Sequence, residues 1–252
     1  MKLTFLGTGD TAQVPVYNCQ CPACQRARHD GQFTRKPSSV LVQSEASQWL
    51  VDTGHTDLCQ RFAPGTLNGI LQTHYHADHA QGLLHLRWGV DMRIPVHGPA
   101  DEVGFADLYK HPGILDFSQP FHAFETRQLG ERLRVTALPL VHSKPCFGYV
   151  FEEGSGKIAY LTDTVGLGAD TYAWLKQQSL DYCIVDCSHP PRDTAPRNHN
   201  DLNTALQMCE GLTIGTLLLT HIGHEMDNWF MSHPASLPEN VKVARDGQSL
   251  TV

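Results

Sequence analysis

The segment THYHADHAQG, Thr73 to Gly82, places His74, His76, Asp78 and His79 within six positions. The chain carries 15 histidines, yet chance clustering rarely gives such an ordered series. Imidazole suits zinc, iron and manganese, and a carboxylate adds a hard anionic ligand. The residues just before, GILQT, read as a short buried strand. His74 and His76 then share one side of an extended segment, because strand side chains alternate. Asp78 and His79 fall where the chain turns into the helix-like run AQGLLHLRW. A strand end followed by a tight turn can aim all four side chains at one small volume.

A softer set of ligands sits near the N-terminus. NCQCPACQR holds Cys19, Cys21 and Cys24. Three thiols so close together can wrap one tetrahedral zinc. A Cys19–Cys21 disulfide would strain a tiny loop, while a redox pair at Cys21 and Cys24 stays open as an alternative. A closed zinc site needs a fourth ligand, and His224, three residues after His221 in THIGHE, is the candidate. It would tie this loop, at about residues 17–28, to a strand end. Cys59, Cys146, Cys183, Cys187 and Cys209 are scattered, and most read as small buried hydrophobes.

Positioning these groups requires strands that stop at them. LTFLG, QWLVDTG, GILQTH, IPVHGP, RVTALPLVHS, CFGYVFE, KIAYLTDT, DYCIVDCSH and TLLLTHIG all read as strands. Helical patterns lie near Asp78–Trp88, Gly168–Gln178 and Asp201–Glu210, with Asp201 or Asn200 as cap of the last. Interleaved strands and helices predict a layered α/β fold. Several of the strands run into a metal-capable residue: Asp52, His74, His142, Asp163, Asp186 and His221. Polar residues often mark strand ends, but His and Asp recur here where Asn, Ser or Lys would serve as well. Gathered along one sheet edge, they would form a metal cleft. The turn LGTGD, Gly7 to Asp10, could let backbone approach such a cleft.

With 252 residues, 41% hydrophobic and 18% charged, the chain can bury a sizeable core as one domain over 1–252. A formal charge of -7 argues against a broad nucleic-acid face, so no nucleic-acid partner is expected. The N-terminus MKLTFLGTGD has no signal-peptide pattern, and no run approaches a membrane span. A cytoplasmic protein with reduced thiols is expected.

HYHADH, followed by His142, Asp163 and His221, resembles the metallo-β-lactamase superfamily over essentially the whole chain. The resemblance implies an αββα sandwich with two divalent metals at one edge. His74, His76 and His142 would hold one metal, and Asp78, His79 and His221 the other. Asp163 would bridge them, and Asp52 in LVDTG would orient a ligating histidine. Two divalent cations against the charges of Asp78 and Asp163 leave a net positive centre, suited to acidifying water and binding an anionic substrate. The complete His/Asp set, without export signal, argues against antibiotic hydrolysis.

HSKPCFGY, CSHPPRDTAPRNHNDLNT and the cysteine loop are similar to the PhnP family of phosphoribosyl cyclic phosphodiesterases in carbon–phosphorus lyase metabolism. That resemblance implies hydrolysis of 5-phosphoribosyl 1,2-cyclic phosphate to ribose 1,5-bisphosphate, with manganese favoured and zinc possible at the two catalytic positions. It also implies structural zinc in the cysteine loop and a homodimer. Asp78 would serve the catalytic centre. His199 would protonate the leaving sugar oxygen, histidine being a residue type that titrates near neutral pH. Lys144, Arg192 and Arg197 flank the ligand motifs and could grip the ribose 5-phosphate, or be ordinary solvated charges. Two rival readings share the motif: a tRNA 3′-processing nuclease, and a non-catalytic metal-binding protein of the PqqB type.

Overall fold

The computed structural model describes residues 1–252 apart from Ala46, Ala195 and Ala235. Among the described residues, fourteen strands form two seven-stranded sheets. The first sheet contains β1 (Lys2–Gly7), β2 (Ser39–Ser44), β3 (Ser47–Val51), β4 (Gly69–Leu71), β5 (Ile94–His97), β6 (Leu115–Asp116) and, at its outer edge beside β1, β14 (Ser249–Thr251). The second contains β7 (Thr126–Gln128), β8 (Arg134–Pro139), β9 (Phe147–Glu153), β10 (Gly156–Leu161), β11 (Ser179–Asp186), β12 (Thr213–Thr220) and β13 (Val241–Val243) in spatial order.

Alternation along the strands builds the layers. In β10, Ile158 and Tyr160 face the space between the sheets, while Ala159 and Leu161 face outward into a second apolar cluster. In β12, Leu218 points inward, and Leu217 and Leu219 point out. Strands buried on both faces read as unbroken apolar runs, which is why TLLLT lacks polar alternation. The helices Ala169–Leu175, Leu202–Gln207 and His224–Ser232 cover the outer face of the second sheet. Short helices, including Leu58–Arg61 and Leu83–Leu86, cover the first. The result is the expected four-layered αββα sandwich. Asp201 caps its helix as anticipated, its carboxylate accepting the Thr204 N–H.

Strand direction explains where the chemistry gathers. β3 and β4 run parallel, as do β10, β11 and β12. β8 is antiparallel to β9, which is antiparallel to β10, so β8 points the same way as β10. These C-terminal ends meet at one edge of the sandwich. Asp52 follows β3 directly, His221 follows β12 directly, and Asp186 closes β11. His74, His142 and Asp163 lie two or three residues past β4, β8 and β10.

The structure corrects two local expectations. The run Asp78–Trp88 is not one helix but two single turns, Ala77–Ala80 and Leu83–Leu86. The Gly82 N–H donates to the Thr53 carbonyl at 2.7 Å, which diverts it from the helical ladder. The glycine turn also packs chain against chain. A Cβ on Gly7 would stand 2.0 Å from the Pro37 carbonyl oxygen, so this residue admits the neighbouring segment. The strands also end before the candidate ligands, leaving His74 and His76 on a loop.

Candidate metal centre

His74, His76 and His142 form one convergent group, and Asp78, His79 and His221 a second. His74 Nε2 is 2.9 Å from His76 Nδ1, and His142 Nε2 is 3.1 Å from the same nitrogen. Asp163 joins the groups. Its Oδ2 lies 3.2 Å from His79 Nε2, 3.5 Å from His221 Nε2, 3.8 Å from His74 Nε2 and 4.0 Å from His142 Nε2. One carboxylate oxygen thus faces ligand nitrogens of both groups, the geometry a bridge requires.

The supporting hydrogen bonds fix which nitrogen faces inward. His79 Nδ1 donates to Asp52 Oδ2 at 2.8 Å. The Thr73 hydroxyl donates to Asp52, so it accepts from His74 Nδ1 at 3.0 Å. The Ser188 hydroxyl donates to the His221 carbonyl, so it accepts from His221 Nδ1 at 2.8 Å. His142 Nδ1 donates to the Asn198 carbonyl at 3.0 Å. Each ring is left with its Nε2 lone pair directed at the centre, as metal-ligating histidines require. His79 Nε2 and His221 Nε2 are buried without hydrogen-bond partners. Buried polar atoms of this kind are rare unless something else satisfies them, and a divalent cation fits both.

The backbone is bent to this purpose. Asp52 and His221 adopt φ of 59° and 56°, a region L-residues seldom occupy and one that recurs at functional sites. Gly54 has no room for a side chain, since its Cβ would sit 1.8 Å from the Asp78 carbonyl oxygen. The Gln72 amide donates to the carbonyls of His74 and His79 at 3.0 and 2.9 Å, clamping the ligand loop. Nothing in the sequence marks Gln72, a neutral side chain inside a strand-like run.

The electrostatics match a cationic occupant. Burial opposes ionisation of Asp163, yet the facing His221, His79 and His74 hold its carboxyl well below the usual range. Burial likewise disfavours charge on His79, but Asp163 and Asp52 raise it well above an ordinary histidine. Burial, with His79 alongside, pushes His74 well down.

His199 stands beside this cluster. Its ring stacks on His221, with centroids 4.7 Å apart, and its Nδ1 is 3.0 Å from Asp186 Oδ2. Asn200 donates to Asp186 Oδ1 at 2.6 Å. Burial pushes the Asp186 carboxyl up, against the pull of its bond to His199. The sequence offered Asp186 only as a strand terminator; its partnership with His199 depends on the loop 187–200 folding back over the sheet edge.

Cys19, Cys21, Cys24 and His224 come together as a separate group. His224 Nδ1 lies 3.4 Å from Cys19 Sγ and 3.5 Å from Cys21 Sγ. Two helix starts position them: Cys21 precedes helix Pro22–His29, and His224 opens helix His224–Ser232. Burial pushes the Cys21 thiol up, but hydrogen bonds from the Cys24 backbone, Asn228, His224 and Cys19 bring it down to about 6. Cys24, with its Sγ accepting the Val16 N–H, is pushed up to about 12 by burial and by the other two thiols. A thiol bound to a metal is deprotonated outright. Of the remaining cysteines, Cys146, Cys183, Cys187 and Cys209 are buried and Cys59 is exposed.

The three basic candidates have different settings. Lys144 Nζ pairs with Asp101 at 3.1 Å in the wall of a cleft that also contains His142. Arg192 pairs with Glu225 at 3.3 Å on the surface, and Arg197 is exposed.

A β-lactamase superfamily domain model matches residues 48–222, spanning every proposed ligand of the dinuclear group. The chain belongs to the β-lactamase superfamily. Among its relatives in this superfamily is the ribonuclease Z of Methanosarcina acetivorans, 29% identical over 61% of this chain and 48% of that one. The chain therefore spans about half the length of that relative. A diphosphatase of the PhnP family superposes with a TM-score of 0.81 at 25% identity, covering 99% of this chain and 96% of that chain. Zinc-bound PqqB from Methylobacterium extorquens superposes with a TM-score of 0.80 at 19% identity over the full length of both chains. At that identity the likeness is one of fold. No helix of this superfamily member, among the described residues, is long and apolar enough to cross a membrane.

Proposed function

We propose that the chain is a metal-dependent phosphodiesterase that hydrolyses 5-phosphoribosyl 1,2-cyclic phosphate to ribose 1,5-bisphosphate. The observation that carries this reading is His199, which stands outside both ligand groups yet against them, held by Asp186. A group so placed suits protonation of a sugar oxygen, a leaving group that departs poorly as an alkoxide. The likeness to a PhnP-family diphosphatase over nearly the whole of both chains supports the same class.

Divalent cations held by His74, His76, His142, Asp78, His79, His221 and Asp163 would neutralise phosphoryl charge and acidify water, with manganese the favoured ion. The chain's own residues do the rest. Asp163 keeps the two groups in register. Asp52, Thr73, Ser188 and the Asn198 carbonyl hold the rings. The water loses a proton to solvent as its oxygen joins phosphorus, the bond to the ribose 2-oxygen breaks, and His199 delivers a proton to that oxygen and regains one from solvent. Lys144, on the cleft wall beside His142, is the best placed of the three basic residues to meet the 5-phosphate.

A second reading is a ribonuclease Z-type phosphodiesterase acting at tRNA 3′ ends, favoured by the similarity to the archaeal enzyme. The two separate on a substrate panel. Phosphorus NMR should show phosphoribosyl cyclic phosphate converting to ribose 1,5-bisphosphate with manganese and not after chelation. Cleavage of precursor tRNA, with the cyclic phosphate untouched, would reverse the assignment.

A further inference from the structure

Away from the metal edge, a cleft of about 560 Å³ lies between the helices Pro22–His29 and His224–Ser232, the 32–35 segment and edge strand β13. Its size falls in the range that takes small molecules. One wall is apolar, formed by Phe33, Phe230 and Leu237. The lining also carries three cations, Arg26, Lys242 and Arg245.

The charges at this cleft are not balanced by the protein. Its floor carboxylate, Asp227, is fully engaged: Arg35 Nε and Nη2 donate to its two oxygens at 2.8 and 3.0 Å, deep in the fold. Among the described residues Arg26, Lys242 and Arg245 have no carboxylate partner, and Glu239 is the one other acid on the lining. Arg26 lies over the Phe33 ring at 4.1 Å and Arg245 approaches the same ring at 5.9 Å. Arg26 Nε is buried without a hydrogen-bond partner. A chain of formal charge -7 thus concentrates cations without carboxylate partners beside a half-buried aromatic wall in a single cleft. Like charges lining one cleft favour an anion there.

We infer that this cleft binds an organic phosphate, a phosphate dianion carried on a planar apolar body. Arginine and lysine supply charge-assisted hydrogen bonds to the phosphate, arginine in bidentate geometry. Phe230, half-buried on the lining, supplies the face for the planar part. The site is independent of the metal centre and of the reaction proposed there. Its walls include both helices that bring Cys21, Cys24 and His224 together, so occupancy would also brace the cysteine group.

The probe is adenosine monophosphate, titrated calorimetrically into the metal-loaded protein, with adenosine and inorganic phosphate as controls. Lys242 and Arg245 are exposed, so Arg245→Gln and Lys242→Gln leave the packing alone. The expected result is saturable binding of the nucleotide, weakened about tenfold or more by Arg245→Gln, the usual loss for one charge-assisted contact. Adenosine and phosphate should each bind at least about tenfold more weakly than the nucleotide. The same binding should persist in Asp78→Asn, which disturbs only the metal centre. Binding abolished by Asp78→Asn and untouched by Arg245→Gln places the nucleotide at the metals and overturns the inference. So does equal binding of adenosine, or no binding at millimolar nucleotide.

Discussion

His199 Nδ1 and Asp186 Oδ2 lie 3.0 Å apart, joining a half-buried imidazole beside the His/Asp cluster to a buried carboxylate. Asp186 also takes the Asn200 amide, so one carboxylate fixes two consecutive residues of the loop. The contact sets the imidazole tautomer: Nδ1 carries the proton given to Asp186, and Nε2 is the atom available for exchange.

His199→Ala should therefore discriminate between leaving groups. On a cyclic ribose phosphate the loss should be roughly 10²–10⁴-fold, the range for general acid catalysis. On bis(p-nitrophenyl) phosphate, whose nitrophenolate departs without a proton, the loss should be much smaller, with metal content unchanged. Similar losses on both substrates would rule out the acid role. Lost metal would make His199 a ligand, a position 3.8 Å from Asp163 Oδ2 does not forbid.

Asp186→Asn should imitate a milder form of that defect. The amide keeps the shape but offers an N–H where the ring needs an acceptor, so His199 loses its fixed tautomer. Turnover of the cyclic phosphate should fall roughly 10–100-fold, the usual range for partners behind a reacting group. Nitrophenyl ester hydrolysis should change little. If His199→Ala and Asp186→Asn together cost as much as the product of the single losses, the two residues do not act as a unit.

Asp163→Ala should abolish turnover, because among the described residues no other carboxylate reaches Nε2 atoms of both histidine groups. Metal analysis should show fewer than two catalytic equivalents, and added metal should not restore activity. Near-wild-type turnover at saturating metal would remove Asp163 from the bridging role.

Cys21→Ser should lose about one equivalent of tightly held zinc and lower Tm by several degrees, since an ion held there would join two helix starts. Manganese-dependent activity of the surviving folded protein should change less. Unchanged zinc content and Tm would show that the cysteine group holds no structural metal.

The sequence alone determined the ligand types, the sandwich class and the order in which strands deliver their polar ends. These are local properties: apolar runs must be buried, and a terminal His or Asp ends its strand wherever the strand lies. HYHADH was legible because its ligands are neighbours in the chain. His224 was legible as a partner of Cys21 because it lies near His221, itself placed by β12. Tertiary structure alone decided the rest. The Asp163 oxygen meets Nε2 of four candidate ligand histidines because parallel strands from two sheets end at one edge, a relation no local pattern encodes. Asp186 meets His199, and Asn198 meets His142, only because a long loop folds over that edge. Gln72 clamps the ligand loop through backbone carbonyls, which leave no trace in residue type. The split of Asp78–Trp88 into two turns follows from a hydrogen bond between Gly82 and Thr53, far apart in the chain. The cationic cleft gathers Arg26, Lys242 and Arg245 from opposite ends of the sequence, where each reads by itself as a solvated surface charge.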